Sequence, residues 1–285
     1  MEPIVVGTDG SPRADVAVEW AAEEAGRTGR PLHILNATEH WSCDLPFHSA
    51  PGLSESLTET GDRILTAAVE RALKTRPGID VTTELVHEAP ADALRGAAAR
   101  AYELVLGHRG LGGVGALLLG STGLKVAGHA PGPVIIVRGG TEETRGEVVV
   151  GVDRSGESAL ALRYAFEAAA IRGAWVRAVH VWEMPSPTVT GAYPEAIRQG
   201  AAAAAERLAG VVAPWRQRYP DVRVIEQAPS GHLVGELVAR SAAADLLVVG
   251  ARANCNGRYG LHLGSVSHGV IHHSHCPVAV VRARA

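Results

Sequence analysis

The chain carries nearly the same sequence twice, and this duplication limits what it can fold into more than any other feature. Ile4-Val5-Val6-Gly7-Thr8-Asp9-Gly10-Ser11 returns as Val148-Val149-Val150-Gly151-Val152-Asp153-Arg154-Ser155, and Pro133-Val134-Ile135-Ile136-Val137-Arg138 returns as Pro277-Val278-Ala279-Val280-Val281-Arg282. Both pairs lie 144 residues apart, at positions 4 and 148 and at positions 133 and 277. Solenoid units are several times shorter, so the pattern specifies two duplicated domains rather than an array. A chain of 285 residues gives each copy enough length to bury its own core without disulfides. The expected division is a first domain at 1–138, a polar Gly-flanked linker at 139–146 and a second domain at 147–285.

Within the first copy, short Val/Ile/Leu runs at 3–8, 31–37, 80–86, 103–107 and 133–138 read as buried parallel strands. Helical patterns separate them. The first follows Ser11-Pro12, an N-cap and N1 pair, and the others cover roughly 55–75, 90–101 and 121–129. The second copy repeats the scheme, with strands near 147–152, 175–181, 222–226, 245–250 and 277–282 and helices near 156–172, 195–218, 232–243 and 265–274. Strand alternating with helix at this spacing predicts an α/β fold: two tandem five-stranded parallel sheets, Rossmann-like, with helices on both faces. Ligands of such sheets sit at the carboxyl ends of the strands, where the strand order reverses.

Composition excludes several classes of function. Basic and acidic residues number 27 and 30, so the net charge of −3 offers no electrostatic grip on nucleic acid. The hydrophobic runs are short, and no basic segment followed by an apolar stretch opens the chain; no signal peptide and no membrane span are expected. Cys43, Cys255 and Cys276 are too scattered for a disulfide framework, which favours a reducing, cytoplasmic setting.

The fourth strand is followed by Gly107-His108-Arg109-Gly110-Leu111-Gly112-Gly113-Val114-Gly115, then Ala116 to Leu119, then Gly120-Ser121-Thr122. So many glycines suit a backbone that takes positive φ and presents bare N–H groups. Gly120-Ser121-Thr122 opens a helix whose N-terminus favours an anion. Two readings stay open on composition: a phosphate cradle, or a flexible connector. No Gly-x-x-x-x-Gly-Lys-Ser/Thr is present, which argues against a P-loop NTPase, and Gly7-Thr8-Asp9-Gly10 lacks dinucleotide-fold spacing. Asp9, at the end of the first strand, suits either an acceptor for ribose or adenine or a cap for the first helix.

Taken together, these motifs resemble the universal stress protein family, in its tandem actinobacterial form and ATP-binding branch. That branch has Gly, two residues, Gly, nine residues, Gly, Ser/Thr, which Gly107, Gly110, Gly120 and Ser121 satisfy. The family's opening Val-Gly-x-Asp-Gly-Ser stands at Val6 to Ser11, and its closing segment at His129-Ala130-Pro131-Gly132-Pro133-Val134 through Arg138. The resemblance implies ATP binding, with Gly7 and Asp9 meeting adenine and ribose. Gly107, His108, Arg109, Gly110, Leu111, Gly112 and Gly113 would wrap ribose and phosphates, and Gly120, Ser121 and Thr122 would hold the phosphates with Mg²⁺ completing the charge balance. Family members often place Val against the base where this chain has Ala37, so that contact is left unassigned.

The second copy departs from the pattern. Ala253 replaces the second Gly, and ten residues rather than nine separate it from Gly264. Gly151, Asp153, Gly250, Arg252, Gly264, Ser265 and Val266 remain as candidate contacts, so a second site that binds ATP more weakly than the first is expected. If the position of Ala253 needs positive φ, the substitution costs on the order of 1 kcal/mol.

Other constellations read as structural. His268, His272 and Cys276 have spacing that suits zinc, but the family's His-x-x-Cys-Pro-Val at His273, Cys276 and Pro277 explains the same stretch, and no metal is assigned. Residues 39–54 and 183–194 read as surface loops rather than lids. Ser11 and Ser155 read as helix caps rather than nucleophiles. The resulting functional expectation is an ATP-dependent regulator in stress or dormancy. It would act on an unidentified protein partner, with each chain pairing its two domains through the last strands and homodimerisation also open. The alternatives are a slow ATPase or adenylate-processing enzyme, and a scaffold that has lost its ligand.

Overall fold

A computed structural model describes residues 1–38, 53–110, 120–138, 144–153, 155–183, 193–251 and 263–284. The chain divides into two compact units, Met1–Thr141 with Arg284–Ala285, and Glu142–Ala283.

In unit one, strands β1 (Ile4–Gly7), β2 (Leu32–Ala37), β3 (Val81–Val86), β4 (Glu103–Gly107) and β5 (Val134–Val137) are ordered β3-β2-β1-β4-β5. The pairings run parallel, with Ile4 level with Leu32 on one side and Glu103 on the other. Helices α1 (Pro12–Thr28) and α2 (Leu53–Thr75) pack together, as do α3 (Pro90–Ala98) and α4 (Ser121–His129), so each face of the sheet is covered by a pair. The central strands are buried except at Gly7 and Gly107, their carboxyl-terminal residues, as a sheet covered on both faces requires. The exception is β3, where Thr82, Thr83 and Glu84 are exposed. It is an edge strand, and polar residues there discourage pairing with another chain.

The boundaries of α1 follow from local chemistry. Ser11 Oγ accepts from Ala14 N at 3.2 Å, and Pro12 occupies the first turn, where its missing N–H costs nothing. Gly29 ends the helix at φ 66°, a left-handed conformation that strains any residue with a β-carbon.

Unit two repeats the plan with β6 (Glu147–Gly151), β7 (Trp175–Val179), β8 (Val224–Gln227), β9 (Leu246–Gly250) and β10 (Val278–Val281), in the order β8-β7-β6-β9-β10. Its helices are α5 (Glu157–Arg172), α6 (Tyr193–Arg218), α7 (Leu233–Ser241) and α8 (Ser265–His273). The strand expected at 222–226 begins later, because Val222 is taken into a turn in which its N–H donates to Tyr219 O. A second difference concerns Ser155. It does not cap α5: Gly156 is the N-cap residue and the helix has no side-chain cap. Phe166 on α5 is fully buried against the rings of Trp215 and Tyr219 at 6.1 and 5.7 Å.

Gly107 lets α1 approach the end of β4, since a β-carbon there would fall 2.6 Å from the Arg13 carbonyl oxygen. That neighbour is backbone and cannot swing aside. Gly107→Ala is therefore expected to lower the unfolding free energy by about 1–3 kcal/mol, measured by urea denaturation against Gly96→Ala, whose β-position has nothing within 4 Å.

Candidate functional site

The turn that follows β1 is held from several directions. Thr8 N donates to Leu35 O at 3.0 Å, continuing the ladder, and the Asn36 side-chain amide donates to Thr8 O at 2.7 Å. Gly10 takes φ 75°, which only glycine adopts readily, and its N–H reaches Thr8 Oγ1 at 3.2 Å. Ser11 N then donates to Asp9 Oδ1 at 3.0 Å. Asp9 is thus fixed by its own turn, while the capping of α1 falls to Ser11.

The result is a cavity of about 310 Å³ at the carboxyl ends of β1 and β4, where the strand order reverses. One wall is apolar, formed by Leu35 and Ala37 of β2, Leu106 of β4, and Pro90 and Leu94 of α3. The polar part of the lining comes from Asp9, Arg109 and the first turn of α4 with Gly120, Ser121 and Thr122. Gly120 is the N-cap residue of α4 and offers no side-chain cap, so the N–H groups of the first turn are left for other acceptors. A ligand that combines a flat apolar group with an anion matches this lining.

Of the candidate residues in unit one, Gly7, Asp9, Gly107, Arg109, Gly110, Gly120, Ser121 and Thr122 all line the cavity. Leu111, Gly112 and Gly113 lie outside the described residues. His108 is directed elsewhere: its ring Nδ1 donates to Val137 O at 3.2 Å, toward β5. For the loop's described glycines the reason also differs from expectation. Gly107, Gly110 and Gly120 do not have positive φ. Gly110 is needed for close approach instead, since a β-carbon there would fall 2.3 Å from Asp9 Oδ2. Gly120 has only ordinary neighbours at 3.8 Å and an extended backbone, so nothing within the described protein demands glycine there.

Sequence reasoning missed Asn36 and the α3 wall. Asn36 has a counterpart 144 residues on, where His180 Nδ1 donates to Val152 O at 2.9 Å. Two different donors at one position of the repeat, each bonded to the carbonyl before the aspartate, mark a constraint that identity alone does not reveal.

In unit two, Gly151, Asp153, Gly250, Gly264, Ser265 and Val266 line a smaller cavity of about 110 Å³. Arg252 and Ala253 lie outside the described residues. In the nearby histidine cluster, the rings of His268 and His272 lie 4.4 Å apart, and Cys276 is buried. Burial, with Asp245 adding to it, pushes the Cys276 thiol up to about 12.

Two α/β units of Rossmann type, each with a crevice at its switch point, define the class of protein. The universal stress protein family matches residues 1–138 and 144–282, and the chain belongs to that family. A universal stress protein of Mycolicibacterium smegmatis is 34% identical over 99% of this chain and 97% of its own length. Universal stress protein Rv2005c of Mycobacterium tuberculosis is also 34% identical, over 98% and 96% respectively. Among solved structures, a universal stress protein from Archaeoglobus fulgidus shares the fold with a TM-score of 0.73 at 18% identity, covering 99% of this chain and 96% of that one. No helix among the described residues is long and apolar enough to cross a membrane.

Burial, and then the positive charges of Arg138, Arg13 and Arg109, hold His108 below its ordinary value of 6.5, against the opposing effect of its bond to Val137 O. The unfolded chain therefore takes up a proton that the folded chain refuses. The associated stability is complete above 6.5 and is lost as pH falls from there toward the folded value. His108→Gln is expected to flatten this part of the curve, measured as the difference in urea midpoints between variant and parent from about pH 7.5 to about pH 5.

Proposed function

We propose that the chain is an ATP-binding regulator whose principal nucleotide site is the cavity of unit one. The observation that carries this reading is the convergence, in one cavity, of an apolar wall, the Asp9 carboxylate, Arg109 and the uncapped start of α4. The adenine lies against Leu35, Ala37 and Leu94, and Asp9 accepts from the base or the ribose. The phosphates take the N–H groups and hydroxyls of Ser121 and Thr122, with Arg109 balancing charge. Mg²⁺ fits this set, because Asp9, Ser121 and Thr122 offer the oxygen donors that a hard cation takes and the phosphates supply the rest. Gly120 supports the same reading, since it lines the cavity and nothing among the described residues demands glycine there.

The regulatory part of the reading rests on linkage. A bound nucleotide shifts a conformational equilibrium only as far as its affinities for the two states differ, and a protein partner that prefers one state senses that shift.

Acid extraction of one portion identifies any nucleotide that co-purifies, and isothermal titration calorimetry of the full chain, stripped of nucleotide by dialysis, with ATP and Mg²⁺ tests the site. One dominant site per chain is expected, with ATP recovered intact. Asp9→Asn keeps the turn's acceptor but loses the charge and should weaken binding by about tenfold. Gly120→Ala should weaken it comparably while leaving the unfolding free energy within about 0.5 kcal/mol of the parent. Absence of both co-purified nucleotide and binding heat would overturn the reading.

A further inference from the structure

The two units place different side chains around equivalent aspartates. With the offset of 144, Ala14 of unit one corresponds to Ser158 of unit two, and Gly123 corresponds to Ser267. In unit one, Ser11 Oγ accepts from Ala14 N and caps α1, and Ser11 N meets Asp9 Oδ1 at 3.0 Å. In unit two the serine hydroxyl is turned round. Ser155 Oγ donates to Asp153 Oδ1 at 2.5 Å, and Ser155 N donates to the same oxygen at 2.8 Å. Ser158 Oγ adds a third donor at 2.6 Å while accepting from Asp153 N at 2.8 Å.

We propose that Ser155 and Ser158 form a latch on the Asp153 carboxylate, and that this latch, together with Ser267, holds the second cavity's affinity for adenine nucleotide below that of the first. The proposal rests on the reading of the unit-one cavity as the nucleotide site.

Three features argue for it. A carboxylate oxygen offers two lone-pair directions, so three donors saturate Oδ1, and a ligand hydroxyl or amine must displace one of them to bind there. The displaced serine would be left without its partner in a buried place, since Ser158 is 4% exposed. At the phosphate end, Ser267 lines the cavity with its hydroxyl donating to Gly250 O at 3.2 Å, where unit one has only the hydrogen of Gly123. The smaller cavity, about 110 against 310 Å³, is consistent with both intrusions. The sequence also differs beside the aspartate, since Ala253 stands at the motif position of Gly110, where a β-carbon in unit one would fall 2.3 Å from Asp9 Oδ2.

Calorimetry and equilibrium dialysis with ATP and Mg²⁺ on three full-length chains test the latch: the parent, Ser158→Ala/Ser267→Gly, and the reciprocal Ala14→Ser/Gly123→Ser. The parent should bind one nucleotide tightly and a second at least about tenfold more weakly. Ser158→Ala/Ser267→Gly should bring the second affinity up by about tenfold, and the reciprocal pair should lower the first by a similar factor. Restoring the hydroxyl as Ser158→Thr beside Ser267→Gly should return most of the weakness, an effect that mere loss of packing would not produce. Thermal unfolding of each chain reports that both units remain folded. If the parent binds at its first site but neither double substitution moves its affinity, the latch is wrong and the nucleotide reading stands. If the parent binds no nucleotide at all, both fall together.

Discussion

In each unit the constraint on which the rest depends is the divergence of two neighbouring parallel strands. β1 and β4 pair side by side, yet β1 leads into α1, which packs with α2, while β4 leads toward α4, which packs with α3 on the other face. Chain leaving in opposite directions cannot fill the space above the strand ends, and a crevice results. The tightness of the neighbouring packing then decides what lines it. Gly107 sits against the backbone of Arg13 and Gly110 against the carboxylate of Asp9, so both glycines are consequences of how closely α1 and the β4 loop approach the β1 turn.

Backbone satisfaction around that turn is equally strict. Thr8 O, at the mouth of the crevice, takes an amide hydrogen from Asn36, and the matching carbonyl of Val152 takes one from His180. The chemistry of the donor is free to change while the need for a donor is not, since a buried carbonyl without a partner is costly. The repeats differ where that need does not apply. Unit one spends a serine hydroxyl on capping α1, whereas unit two uses the equivalent hydroxyl on its aspartate and starts α5 at Glu157 without a side-chain cap. A local choice of hydrogen-bond partner thereby separates two sites built on one plan.

The chain's own sequence determined the duplication, the strand and helix alternation, the Ser11 cap and half of the residues that line the first cavity. These are legible because they are local: buried parallel strands need unbroken apolar runs, helix starts need a particular acceptor, and the glycine spacing lies within one loop. Only the tertiary structure decided why glycine stands at 107 and 110, since the reason is the close approach of a neighbour far away in the chain rather than a positive φ. It alone also brought in Asn36, separated from Thr8 by 28 residues, and the Pro90 and Leu94 wall from α3. The direction of His108 and the three donors on Asp153 Oδ1 belong to the same class. Each depends on where a side chain points once distant elements have packed, and composition and spacing in a single sequence carry no record of that direction.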